Sequence, residues 1–123
     1  MENLIEGVLS KGVVQIFSVN EAEAILFASK LEESLSDRAI SMDVALEGAR
    51  ILRDSMRTRV DLHTSEFTAT FGEEGEFTVP TFMTEAKVVT GAGDAWNAAD
   101  IYGYIIGLEP PQRLLFANAV ASL

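Results

Sequence analysis

Residues 88–100 read VVTGAGDAWNAAD, so two glycines flank an alanine and a carboxylate follows at once. Glycine adopts backbone geometries closed to other residues and lets the chain approach a ligand closely. The pattern that follows is helical, and the free N–H groups and positive dipole end of a helix attract anions. Asp94, in the first turn, could accept a proton from a hydroxyl that attacks a phosphoryl group. The alternative is that Asp94 is only the N-cap of this helix, because Asp is among the best capping residues.

A second polar pair lies in the segment SVNEAEA at positions 18–24. Asn20 and Glu23 are three residues apart at a predicted strand-to-helix junction, so both side chains can face the sheet edge where α/β folds bind ligands. The same spacing also fits a capping box, in which Asn is the N-cap and Glu is the third helical residue.

The elements that must position these residues follow from hydrophobic periodicity. Strands alternate with amphipathic helices and one hairpin, which predicts an α/β fold with three layers. Ser41 is the predicted N-cap of the third helix, and Pro80 ends regular pairing or marks an edge strand. In chain order we predict a helix over 2–12, a strand over 13–19, helices over 20–35 and 41–56, alternation over 59–71 joined through GEEG to an extended 76–82, and helices over 94–108 and 110–123.

Composition restricts the partners of the chain. The 123 residues carry a formal charge of −10, which disfavours binding to nucleic acid and to anionic membrane surfaces. There is no cysteine and only one histidine, so thiolate and multi-histidine metal sites are excluded. The first residues lack the features of a secretory signal, and a cytoplasmic location is therefore predicted.

The last predicted helix carries an apolar stripe formed by Leu115, Phe116, Ala119, Val120 and Leu123. It has no glycine cap and no basic last turn. With only three or four predicted strands, sheet edges and apolar faces would stay uncovered. We therefore expect a homo-oligomer, or a complementary segment that is missing from this chain.

Three segments together resemble one family. TGAGDAW, the upstream VNEAE and the downstream LLFANAVAS are similar to the C-terminal half of the ribokinase-like (PfkB) carbohydrate kinases. The resemblance implies a three-layer α/β/α fold, incomplete here. Residues 1–123 would then be a single domain, the nucleotide-binding and catalytic portion of such a kinase.

The resemblance also implies roles for individual residues. Asp94 would be the catalytic base toward the substrate hydroxyl. Asn20 and Glu23 would hold Mg²⁺ through water, and the phosphoryl donor would be ATP or ADP. The backbone that would form the anion hole belongs to Gly91, Ala92 and Gly93.

The chain departs from the family pattern in two places. Val88 and Val89 precede Thr90 where the family often has Asp-Thr-Thr, so the monovalent-cation site loses a carboxylate. The Thr-x-Gly loop that holds nucleotide phosphates in many members is absent here, and His63 and Thr64 occupy that region. A His-Thr pair after a strand resembles ADP-dependent sugar kinases, but we favour a half-buried strand residue for His63.

The predicted function is therefore magnesium-dependent phosphoryl transfer from a nucleotide to a sugar hydroxyl, with the isolated chain inactive. One alternative is a nucleoside kinase of the same family. Another is a noncatalytic remnant that binds a partner chain through its uncovered apolar faces.

Overall fold

A computed structural model describes residues 14–81 and 91–123 of the chain. These two ranges contain four strands and four α-helices, together with one short 3₁₀ turn at Glu33–Leu35. The elements in chain order are β1 (Ile16–Asn20), α1 (Glu21–Ser29), α2 (Met42–Met56), β2 (Arg59–His63), β3 (Phe67–Gly72), β4 (Gly75–Pro80), α3 (Ala92–Ile105) and α4 (Pro110–Ala121). The predicted helix over 2–12 lies outside the described residues.

The strands form one mixed sheet in the order β1-β2-β3-β4. β1 and β2 run parallel, so their carboxyl ends lie at the same edge of the sheet. β3 and β4 are the predicted hairpin, in which Gly72 pairs with Gly75. Pro80 is the last residue of the edge strand β4, where its missing N–H breaks no ladder bond.

Helices cover both faces of the sheet, which confirms the α/β class and the layered arrangement. α1 and α2 pack on one face, in a core that contains Val19, Leu52, Leu62 and Phe71. α3 and α4 pack together, and α4 contacts β3 and β4, around a smaller core of Trp96, Ala99, Leu114 and Ala117. Phe71 is buried in the first core, and the half-buried Phe67 packs against it.

The predicted helix over 20–35 is shorter than its periodicity indicates. α1 ends at Ser29, whose hydroxyl donates to the carbonyl of Leu26 and so competes with the helical hydrogen bonds. Leu35 then enters the core from the 3₁₀ turn and not from the same helix.

The alternation over 59–71 divides into two strands. The hydroxyl of Thr64 accepts the N–H groups of Glu66 and Phe67 and closes a turn between β2 and β3. Within β2, Asp61 is as buried as its apolar neighbours because helices cover both faces of the sheet.

The face that α4 buries extends beyond the predicted stripe. Its buried residues are Arg113, Leu114, Ala117 and Asn118, whereas Leu115 is exposed. Phe116 and Val120 of the stripe are half-buried against the smaller core, and the apolar pattern missed Arg113 and Asn118, which are buried because they bind buried partners. No helix in the two described ranges is long and apolar enough to cross a membrane.

A close backbone contact between α1 and α2 supports a prediction about stability. A Cβ added at Gly48 would lie 2.9 Å from the carbonyl oxygen of Ala24. Because this neighbour is backbone, overpacking should outweigh the better helix propensity of alanine, and Gly48→Ala should lower the free energy of unfolding by about 1–2 kcal/mol. Urea unfolding measures the loss. Ser55→Ala, at an exposed position of the same helix, is the control and should change the free energy of unfolding much less.

Candidate active site

The predicted site residues meet at the edge of the sheet where β1 and β2 end. Asn20 is the last residue of β1 and His63 is the last residue of β2, and these two residues are direct partners in the parallel ladder. Sequence spacing alone placed them in separate segments. The parallel pairing makes them neighbours.

Asn20 and Glu23 form the predicted capping box at the start of α1. The Oδ1 atom of Asn20 accepts the N–H of Glu23 at 2.8 Å, and the Oε1 atom of Glu23 accepts the N–H of Asn20 at 3.0 Å. Glu23 remains exposed, so its carboxylate is accessible to solvent and to a ligand. The structural alternative is therefore confirmed, and it holds both oxygen donors in fixed positions.

The glycine-rich loop leads directly into α3. Gly91 is the N-cap with φ +91°, a left-handed conformation that favours glycine. The first intrahelical bond joins the N–H of Ala95 to the carbonyl of Gly91, so the N–H groups before Ala95 have no acceptor within the helix. This end of α3 presents backbone donors that an anion could bind.

Asp94 lies in the first helical turn, as we predicted, but it is not the N-cap. The cap position belongs to Gly91, and Asp94 is the third residue of α3. The capping interpretation is therefore wrong. The carboxylate of Asp94 is exposed at the same helix end as the backbone donors.

Two contacts hold the start of α3 over the ends of the two strands. The hydroxyl of Ser18 in β1 donates to Oδ1 of Asn97 at 2.6 Å. The ring of His63 packs against Trp96, with centroids 5.0 Å apart. A Cβ placed on Gly93 would lie 3.5 Å from Cε1 of His63. The imidazole is therefore directly beside the glycine loop.

The burial of His63 disfavours the charged form of its imidazole. Burial lowers the pKa of His63 below its ordinary value of 6.5, against the opposing effects of the Glu23, Glu21 and Asp61 carboxylates. His63 ends β2 and is half-buried, which confirms the strand interpretation of its position.

Thr64 and Thr90 are the other residues predicted for the nucleotide region. The hydroxyl of Thr64 donates to the carbonyl of Phe67 at 2.8 Å and belongs to the β2–β3 turn. Thr90 lies outside the described residues, as do Val88 and Val89. In the described ranges, no group of three or more His, Asp or Glu side chains could hold a metal ion.

Sequence reasoning missed the buried hydrogen bonds of Asn118, which hold Trp96 in place. Trp96 donates its indole N–H to Oδ1 of Asn118 at 2.9 Å, and Nδ2 of Asn118 donates to the carbonyl of Pro80 at 3.1 Å. The Asn of the segment LLFANAVAS therefore fixes the ring on which His63 packs. An amide in the middle of an apolar helix was the available signal, because a buried amide needs partners.

A cavity of about 810 Å³ lies away from these residues. It is near the β3–β4 turn and the start of β2, the opposite end of that strand from His63. Its charged lining combines three arginines with three carboxylates, Arg53, Arg57, Arg59, Asp54, Glu73 and Glu74. This open and charge-balanced cavity contains none of the motif residues, which converge instead where β1 and β2 end.

No protein-family model and no curated protein matches the sequence. Solved structures of ribokinase-family and PfkB kinases, in contrast, are similar to most of the chain. A phosphofructokinase-2 mutant from Escherichia coli superimposes with a TM-score of 0.78 at 17% identity, over 99% of this chain and 38% of that protein. Ribokinase from Thermotoga maritima gives a TM-score of 0.71 at 20% identity, over 88% of this chain and 34% of that protein.

Adenosine kinase from Sinorhizobium meliloti gives a TM-score of 0.71 at 20% identity, over 94% of this chain and 32% of that protein. The chain thus spans between 32% and 38% of the length of these three proteins. The likeness shows that the chain has the ribokinase-like fold over this part.

Proposed function

We propose that this chain is the C-terminal nucleotide-binding and catalytic portion of a sugar kinase that transfers a phosphoryl group to a sugar hydroxyl. One observation carries the proposal. The Gly91–Asp94 loop lies beside His63, at the sheet edge where Asn20 and Glu23 are also placed. An anion-binding helix end, a carboxylate and a pair of oxygen donors at one edge match the needs of phosphoryl transfer, where positioning and charge neutralisation supply most of the catalysis.

Asp94 is the general base in this proposal. Its exposed carboxylate accepts the proton of the attacking sugar hydroxyl. The backbone N–H groups of Gly91, Ala92 and Gly93 stabilise the negative charge on the transferred phosphoryl group. Because these donors share the first turn of α3 with Asp94, base and anion hole keep a fixed relative position.

Asn20 and Glu23 fit a magnesium site. Both supply oxygen donors, which Mg²⁺ prefers, and Mg²⁺ keeps several waters when few carboxylates are available. The residues would hold the ion through such waters, and bound Mg²⁺ would neutralise charge on the donor phosphates. The capping box keeps both side chains at the carboxyl end of β1.

The nucleotide donor is ATP or ADP, and His63, Thr64 and Thr90 belong to its binding region. A nucleoside is the alternative acceptor, since an adenosine kinase is among the proteins with similar structures. We expect no nucleic-acid or membrane partner because the chain carries a formal charge of −10. We place the protein in the cytoplasm.

The isolated chain is inactive in this proposal and needs either a second copy or a complementary segment. Its own surface supports a partner, because four large apolar side chains of α3 and its end are exposed, Ile101, Tyr102, Ile105 and Ile106. Sedimentation tests this part. A clean monomer at micromolar concentration would argue against self-association and against the noncatalytic partner-binding alternative.

Nucleotide binding is the first test of the proposal. Trp96 is the single tryptophan and His63 the single histidine, and their rings are in contact, so Trp96 fluorescence and the His63 ring signals both report on the site. We expect saturable changes in both, and in the amides of Gly91, Gly93 and Asp94, on titration with Mg²⁺ and either ATP or ADP. A folded sample without shifts for either nucleotide would refute the proposal for this chain.

The magnesium role predicts a selective effect of Glu23→Gln. Glutamine keeps the capping box, so α1 should stay folded, while the charge that favours Mg²⁺ is lost. We expect the Mg²⁺ requirement for nucleotide binding to shift to at least tenfold higher concentration. The matched control is Glu21→Gln, which removes the same charge from the same helical turn. An unchanged Mg²⁺ titration for Glu23→Gln would remove this residue from the site.

A further inference from the structure

Three ionisable side chains are buried together between the sheet and the helix that begins with the glycine loop. Asp61 of β2, Asp100 of α3 and Arg113 of α4, here called the buried charge cluster, have side chains no more than 1% exposed. They join three elements that are distant in sequence. The proposed phosphoryl transfer uses none of them.

The hydrogen bonds of the cluster are unequal. Nη1 of Arg113 donates to Oδ2 of Asp61 at 2.6 Å and to Oδ1 of Asp100 at 2.5 Å. The Oδ1 atom of Asp61 also accepts the hydroxyl of Thr70 at 2.5 Å, so both of its oxygens are bonded. Oδ2 of Asp100 is buried without a hydrogen-bond partner among the described residues.

One guanidinium cannot neutralise two buried carboxylates. Arg59 is the next cation, but it donates to Thr70 and pairs with Glu74, and Tyr104 adds only its ring near both arginines. Two ionised aspartates would leave one negative charge in a site without water-accessible surface, which is costly. A proton on the less-bonded carboxyl removes that charge.

We propose that Asp100 holds a proton at neutral pH and that the buried charge cluster is a latch that fixes α3 to the sheet and loosens when Asp100 ionises. Asp61 carries the negative charge that pairs with Arg113. The latch acts on the candidate site because α3 carries Asp94 in its first turn and Asp100 in its second half. This inference does not depend on the proposed function.

The direction of the pH dependence follows from the charges that face Asp100. Burial, followed by the hydrogen-bonding and charge interactions with Asp61, raises the pKa of Asp100 to about 9, while Arg113 opposes the shift. In the unfolded chain the carboxyl has an ordinary pKa of 3.8. The stability that this proton gives is therefore complete at low pH and is lost as pH rises toward 9.

Chemical unfolding of the full chain between pH 5 and pH 8 tests the proposal against Asp100→Asn. If unfolding releases one proton, the folding equilibrium constant falls about tenfold for each unit that the pH rises. We expect this pH dependence in the original chain. It should be lost in Asp100→Asn, because the amide mimics the protonated carboxyl. The control Asp43→Asn removes an exposed carboxyl and should keep the slope of the original chain. Equal slopes for the original chain and Asp100→Asn would overturn the proposal.

A second measurement uses only the original chain and therefore does not depend on whether a variant folds. With ¹³C-labelled aspartate, the carboxyl signal of Asp100 in the original chain should keep the shift of a protonated acid at pH 7 and titrate only at alkaline pH. Trp96 fluorescence should change over the same alkaline range, because the ring lies on α3 between Asn118 and His63. An Asp100 carboxyl that is ionised at pH 7 would overturn the proposal even if Asp100→Asn does not fold.

Discussion

Under the proposed function, replacing Asp94 with Asn in a complete kinase that includes this chain should lower kcat by about 100- to 10,000-fold, the usual contribution of a general base. The amide has the shape of the carboxylate but does not accept the proton of the sugar hydroxyl. Because Gly91 and not Asp94 is the N-cap of α3, the helix loses no cap in this variant. Nucleotide affinity should therefore change little, and the loss should appear in kcat and not in the KM for the nucleotide.

The matched control for this experiment is Asp43→Asn, which removes a carboxylate from the first turn of α2. It should leave kcat unchanged, since Asp43 is exposed and belongs to α2, whereas the proposed base and anion hole belong to the start of α3. Steady-state phosphorylation of a sugar, combined with nucleotide binding by fluorescence, separates the two readouts. Retained turnover in Asp94→Asn would contradict the assignment of Asp94 as the base.

Local signals in the sequence were sufficient for much of the site. The α/β class, the hairpin, the start of α2 at its Ser41 cap and the capping box of Asn20 and Glu23 each depend on neighbouring residues, and the structure confirms them. The glycine loop was also correctly placed before a helix. Such features are determined within a few residues of the chain, and a single sequence contains them in full.

Features set by tertiary contacts could not be predicted in this way. The interpretation of Asp94 as the N-cap of α3 was wrong. Asp is a good cap in isolation, but the left-handed backbone of Gly91 determines where this helix starts. The predicted apolar stripe of α4 was incomplete because Arg113 also lies inside the protein, against Asp61 and Asp100. The partners of that arginine are on other elements, and no local pattern in the sequence indicates them.

Arg113→Met should produce the largest loss of stability of the substitutions considered, about 3–5 kcal/mol in the free energy of unfolding. Methionine keeps much of the length and apolar contact of the arginine side chain. It leaves the ionised Asp61 buried with only Thr70 as a described hydrogen-bond partner and frees Oδ1 of Asp100 as well. Folded chains typically have a margin of only 5–15 kcal/mol, so this variant should lie near the limit of folding at neutral pH.

The control is Arg38→Met, which breaks an exposed ion pair with Glu47 and should cost at most about 1 kcal/mol. Combining Arg113→Met with Asp61→Asn provides a sharper test. If the penalty comes from the unpaired charge of Asp61, the double variant should recover part of the stability that the single variant loses, as measured by urea unfolding. Strictly additive losses would mean instead that Arg113 contributes by packing, as a long side chain between α3, α4 and the sheet.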